Sequence, residues 1–337
     1  MRDLSVVYTR FVAMILVVFY HCFCYYSIWN MSIVEVEFYK VMDKSISYIH
    51  IPMFVFASGY LYSMLLSKGR YESVSRFFTG KIRRLLIPYI IWGTLILVLL
   101  PKRYTPEMLF NGISHLWFLM MLFDVFCIVH LTRNIWDKLE LRRLLFVILS
   151  LILVYIVVMK VGFVIPFLSL GFAIRFLPIF FIGIFFYRIQ HNYLNQNDGN
   201  PAIEKSKIIL LILIVLLVAI QWIELKIGYS GYIHIVSYLI GLGIVVSAFY
   251  LTGNVINTIK LPNLLSNTII RMDKCGMGIY VLHHILIMWL LQSDDFILLM
   301  ESHFIITPIA LFVFVLLLSW GMTEFIIRIK YLRFILG

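Results

Sequence analysis

Arg10 and His21 stand eleven residues apart in a run that is otherwise almost wholly apolar. Eleven residues are close to three helical turns, so on a helix both side chains leave from one face, about 16 Å apart along the axis. An imidazole takes a proton from a hydroxyl near neutral pH, whereas a guanidinium stays charged and binds anions. The pair therefore suits a deep base below a cationic mouth. A snorkelling arginine and a packed histidine give the same spacing, and spacing alone does not separate the two readings. Other polar residues interrupt apolar runs further on. Asp124 is placed to orient a histidine or to pair with Arg175, which needs an anion because it cannot deprotonate. His283 and His284 are adjacent, about 100° apart on a helix, so only one of them is expected to reach a shared cavity. His50 opens a run at Pro52, Trp117 follows His115, and Ser58 lies in Ala57-Ser58-Gly59-Tyr60, a small-residue stretch suited to close helix approach or a backbone-lined cavity. Lys81, Arg83 and Arg84 precede Pro88, either as an anchor to anionic lipid or as a phosphate site. Cys22 and Cys24 face different sides of a helix and read as buried small residues rather than a metal site. The chain has no nucleotide-binding glycine loop, no zinc spacing and no Gly-x-Ser-x-Gly elbow.

The elements that must hold these residues follow from composition. Of 337 residues, 62% are hydrophobic and 13% charged, and the mean hydropathy is +0.98. A soluble domain cannot hide so much apolar surface, and a disordered chain is polar and poor in aromatics. The reading is an all-α polytopic membrane protein of about ten spans, one integral-membrane domain over 1–337 with no fused soluble domain. Apolar segments fall at about 8–29, 46–66, 85–100, 115–132, 144–160, 164–187, 207–225, 231–251, 276–292 and 304–327. The sixth carries Gly171, Arg175, Pro178 and Gly183 and is the one that two shorter pieces would also fit. Arg10 lies within the first, which is too long for the core of a cleaved signal peptide and lacks a small-x-small cleavage site. The longest outer loop is expected at about 30–45, and the polar stretch from His191 to Ser206 reads as an inner loop.

Charge then orients the spans. With the N-terminus on the cytoplasmic side, inner segments collect 21 of the 28 basic residues, outer segments hold six, and Arg175 stands inside a span. That asymmetry predicts ten spans with both termini cytoplasmic. It also accounts for most of the net charge of +11 without nucleic acid. In this topology Arg10 lies near the cytoplasmic surface and His21 deeper.

Six short motifs, in order, resemble the membrane-bound acyltransferase family 3, bacterial enzymes that acylate surface glycans and antibiotics. Arg10 and His21 fit its Arg, ten residues, His pattern. Pro52-Met53-Phe54 through Ser58-Gly59-Tyr60 is similar to its Pro-x-Phe and Ser-Gly-Tyr segment. Lys81-Ile82-Arg83-Arg84 with Ile87-Pro88-Tyr89 resembles its basic loop, with lysine where arginine is commoner. His115-Leu116-Trp117-Phe118, then Arg175 with Phe180-Phe181-Ile182-Gly183, then Gly278-Ile279-Tyr280-Val281-Leu282-His283 complete the series.

The resemblance implies transfer of an acyl group, commonly acetyl, from cytoplasmic acyl-CoA to a hydroxyl of a cell-surface or lipid-linked glycan. It implies a multi-pass protein of the bacterial cytoplasmic membrane, with acyl-CoA as co-substrate, no permanently bound cofactor and no metal. The partners are acyl-CoA, a glycan or glycolipid acceptor and membrane lipid, with no nucleic acid. His21 becomes the general base or an acyl relay beside Arg10. Lys81, Arg83 and Arg84 become donor-phosphate ligands, and Arg175, His283, Asp124, Trp117 and Ser58 line the cavity. The rival reading is a glycan or lipid transporter or flippase without covalent chemistry. The absence of an inverted repeat between the halves weighs against it.

Overall fold

The computed structural model describes residues 3–24, 37–101, 103–161, 167–191, 200–228, 230–258 and 262–337. Among these the chain is helical, with no strand. The main helices are α1 (Leu4–Phe23), α2 (Glu37–Ser47), α3 (His50–Ser67), α4 (Val74–Lys81), α5 (Ile87–Leu99), α6 (Trp117–Leu131), α7 (Leu141–Val161), α8 (Leu170–Ile189), α9 (Asn200–Ile227), α10 (Gly231–Thr258), α11 (Asn263–Lys274), α12 (Gly276–Leu290), α13 (Asp294–Ser302) and α14 (Thr307–Arg328). A π-helical turn, Ile82–Leu86, joins α4 to α5.

Among the described residues nine helical stretches are long and apolar enough to cross a membrane, and a tenth arises if α12 and α13, bent by 96°, count as one span. Each of the ten expected segments coincides with one of these. The first begins at Leu4 rather than near residue 8, because the Asp3 carboxylate accepts from the Ser5 amide at 3.0 Å and caps the helix there. Its expected last residues, 25–29, lie outside the described residues. The expected outer loop at 30–45 is helical from Glu37 onward (residues 30–36 are not described), and α2 buries Tyr39, Val41 and Ile46. The polar stretch 191–206 is helical from Asn200, with 192–199 outside the described residues. The sixth segment is one helix from Leu170, with Pro178 inside it. Its first turn is preceded by a tight 3₁₀ turn, Phe167–Ser169.

The chain divides into two compact units, Met1–Phe54 with Asp198–Phe325 and Val55–Asn197 with Ile326–Gly337. In the first unit α1 buries Val6, Val7, Ala13, Met14, Val17 and Val18, a helical stripe, against α2, α10, α11 and α12. The buried Glu224 of α9 pairs with Lys44 of α2 at 3.3 Å, and Gln221 of α9 donates to Ser237 of α10 at 2.7 Å.

In the second unit α3 and α8 cross through glycine. A Cβ on Gly59 would collide with the Phe180 carbonyl, and one on Gly183 would collide with the Phe56 carbonyl. The two helices therefore touch backbone to backbone, the reciprocal contact that small residues permit in a bilayer. This settles the small-residue stretch at Ser58 as a helix crossing. The turn Arg333–Leu336 lies against α5, where the Trp92 indole donates to the Ile335 carbonyl at 2.7 Å. One face of α7 and one of α9 stay bare. Phe146, Leu149, Leu153 and Val157 on the first, and Leu211, Val215 and Ile223 on the second, are exposed, as lipid-facing surfaces must be.

Candidate active site

Arg10 and His21 leave α1 toward the same stretch of chain, α11 and α12, which Cys275 joins. Both residues, and everything they touch below, belong to the first unit. Near the start of α1 the Tyr8 hydroxyl donates to Ser266 of α11 at 3.2 Å, and Thr9 shares a hydrogen bond with Thr252 of α10 at 3.1 Å. These bonds set the rotation of α1. Arg10 is thereby brought to Asp273, one residue before the end of α11. Its Nε and Nη2 both donate to Asp273 Oδ1, at 2.9 and 2.6 Å. The carboxylate is buried and the guanidinium about one-third exposed. Sequence reading missed Asp273, which sits among Arg271 and Lys274 and passes for part of an inner basic loop. The available signal was Arg10 itself, since a cation in an apolar span calls for an anion.

Three turns on, His21 occupies the last turn of α1. Its Nδ1 is 2.9 Å from the Val17 carbonyl and 3.2 Å from His283 Nε2. His283 Nδ1 is in turn 3.0 Å from the Ile279 carbonyl. A carbonyl only accepts, so each Nδ1 carries a hydrogen. His283 Nε2 then has the lone pair that accepts from His21 Nδ1–H. His21 Nε2 keeps its own lone pair, the atom a base needs. His284 also reaches this point. Its ring centroid is 4.9 Å from that of His21, edge to face, against 5.0 Å for His283. Both of the adjacent histidines therefore touch His21. His21 seats as a knob between them, and a 100° divergence on α12 straddles it. Tyr20 stacks on His50 with centroids 4.8 Å apart. His50 Nδ1 bonds to the Ile46 carbonyl at 2.6 Å, so this imidazole at the start of α3 is tied back to the last turn of α2.

The remaining predicted residues belong to the second unit. Lys81 does not point to water. Its ammonium lies 3.2 Å from the centroid of the Phe126 ring, with Phe77 and Tyr71 at 5.4 and 5.6 Å, a cation–π enclosure. Burial pushes the Tyr71 phenol up, with Arg84 and Arg70 pulling it the other way. Arg83 and Arg84, on the π-turn, are exposed. Trp117 stacks on Phe172 of α8 at 4.3 Å, and the Arg175 guanidinium lies 5.3 Å over Phe176. Asp124, two turns after Trp117 on α6, is not joined to Arg175 by any hydrogen bond or ion pair among the described residues, and its buried Oδ2 has no hydrogen-bond partner among them. The alternative of an Asp124–Arg175 pair is thus corrected. The Arg175 guanidinium lies instead over the ring of Phe176 on its own helix. Ser58 is half-buried beside the Gly59 crossing.

A family model described as an acyltransferase domain matches residues 3–324. No curated protein and no solved structure matches the chain.

Proposed function

The chain belongs to this acyltransferase family, an integral multi-pass membrane acyltransferase, and from that premise we propose that it moves an acyl group, acetyl in the first instance, from cytoplasmic acyl-CoA to a hydroxyl of a cell-surface or lipid-linked glycan. The observation that carries this reading is the state of His21: Nδ1–H is held by the Val17 carbonyl and by His283, and the lone pair is on Nε2. In the step proposed, His21 Nε2 takes the proton of the acceptor hydroxyl as its oxygen attacks the thioester carbonyl carbon. The carbon–sulfur bond breaks, the ester forms, and the proton passes from the imidazolium to the thiolate, leaving free CoA. His283 Nε2 accepts more strongly from His21 while that ring carries charge. Arg10 binds donor phosphate, and the exposed Arg83 and Arg84 offer phosphate contacts of the same kind. Lys81, enclosed by rings, anchors the π-turn that carries them. Asp124, Arg175 and Trp117 are proposed as accessory residues of the reaction. The bacterial cytoplasmic membrane is proposed from the family resemblance, and the surplus of basic residues in the inner segments supports both termini inside.

The test is direct. Purified protein receives acetyl-labelled acetyl-CoA and a glycan extract. Labelled ester that base hydrolyses is the expected product. Lack of label transfer by a preparation that moves glycolipid across vesicles overturns the proposal in favour of a flippase.

A further inference from the structure

We propose that Asp273 is a positioning residue that turns Arg10 into a two-sided phosphate receptor. The inference rests on the reading above that Arg10 receives the phosphate of the acyl donor. A guanidinium offers five N–H donors in one plane. Asp273 Oδ1 takes the hydrogens on one edge, from Nε at 2.9 Å and from Nη2 at 2.6 Å. The edge formed by Nη1 and the second hydrogen of Nη2 is left, with three donors. That end-on fork matches two oxygens of a phosphate group bidentately.

The environment favours this use over plain charge neutralisation. Asp273 is buried, whereas Arg10 is about one-third exposed, so the carboxylate backs the arginine from within the protein and the open edge faces outward. The pair is locked from both helices. Tyr8, two residues before Arg10 on α1, bonds to Ser266, and Val7 and Tyr8 pack on Ile269, one turn before Asp273 on α11. An arginine so held cannot swing to a headgroup by rotating its long side chain. It loses little rotamer freedom when it binds. Because Arg10 and Asp273 sum to zero charge, recognition comes from the shape of the fork. Asp273 and His283 are ten residues apart, close to the eleven that separate Arg10 from His21. The α11 and α12 helices therefore carry a positioning partner for each member of the α1 pair.

The experiment compares acetyl-CoA with acetyl-pantetheine, which has the thioester but no phosphate, on full-length protein in vesicles of neutral lipid. Asp273→Asn keeps an oxygen acceptor but loses the charge. It is expected to raise the KM for acetyl-CoA about tenfold, the worth of one charge-assisted hydrogen bond, with kcat nearly unchanged and no change in KM for acetyl-pantetheine. Arg10→Lys retains the ion pair and hence the helix contact but has no fork, and is expected to show the same selective rise. Asp273→Glu is expected to recover part of it. Were Arg10→Lys to raise the KM for acetyl-CoA while folded Asp273→Asn left it untouched, the positioning role would be overturned and the donor-phosphate reading of Arg10 would stand. Were neither to alter it, both would fall. An equal rise for both donors overturns the phosphate fork, as does an effect that appears only when anionic lipid is added, which would assign the fork to a lipid headgroup.

Discussion

Replacing His283 with alanine measures how the proposed base is held. In the wild type His21 Nδ1–H lies between two acceptors, the Val17 carbonyl at 2.9 Å and His283 Nε2 at 3.2 Å. The substitution removes the longer bond and leaves the shorter. The tautomer survives, because the Val17 carbonyl still requires a hydrogen on Nδ1. What is lost is one hydrogen bond, worth about 1 kcal/mol while the ring is neutral and up to roughly 2 kcal/mol once it carries the proton. Since the difference is felt when charge develops, kcat is expected to fall about five- to thirtyfold with KM unchanged. His283→Gln, whose amide oxygen can accept from Nδ1–H, is expected to recover most of that loss. Initial rates of labelled acetyl transfer at saturating donor, normalised to folded protein in vesicles, give the answer. A loss in His283→Ala as deep as that of His21→Ala would refute the reasoning, because His283 would then be the proton acceptor. An unchanged kcat would refute it too, by showing that the 3.2 Å contact does nothing in the transition state.

His21→Ala is expected to lower kcat by roughly 10²–10⁴-fold while the protein remains inserted and folded, and wild-type levels of acylated glycan would remove His21 from the mechanism. Arg84→Ala is expected to raise the apparent KM for acyl-CoA several-fold with kcat little altered, which a donor titration reads directly. Gly183→Val should destabilise the second unit by about 2 kcal/mol or more, because its side chain must enter the space of the Phe56 carbonyl; thermal unfolding in detergent checks it. Lys44→Met strands the buried Glu224 and should cost roughly 3 kcal/mol, whereas adding Glu224→Gln should restore much of the loss.

Much of the fold can be read along the chain. The ten apolar segments stand where, among the described residues, nine helical stretches and one bent helix pair are found, since hydrophobic length and turn residues act locally and a bilayer makes length decisive. The departures are also local. Asp3 starts α1 early, and α2 fills part of an expected loop, burying Tyr39, Val41 and Ile46. At the site, the reading that Arg10 and His21 share a face follows from helical period, and both do turn toward α11 and α12. The Lys81, Arg83 and Arg84 cluster was legible as a basic run but not in its division, with one ammonium under aromatic rings and two guanidinia exposed. Nothing in the spacing of 81–84 tells which of them meets Phe126, forty-five residues away.

Composition and period alone therefore determined a membrane-spanning all-helical chain and the face shared by Arg10 and His21, and the order of six short motifs carried the resemblance to the acyltransferase family. Only the tertiary structure decided the partners. Asp273 for Arg10, and His283 together with His284 for His21, lie more than 250 positions away in sequence. The same holds for the glycine crossing of α3 and α8 and for the separation of Asp124 from Arg175. The reason is physical. Periodicity fixes which side of a helix a residue occupies, because that depends on 3.6 residues per turn and nothing else. Which other helix comes to that side depends on packing volume, buried charge and hydrogen-bond satisfaction across the whole unit, and those are properties of pairs that no stretch of sequence contains by itself.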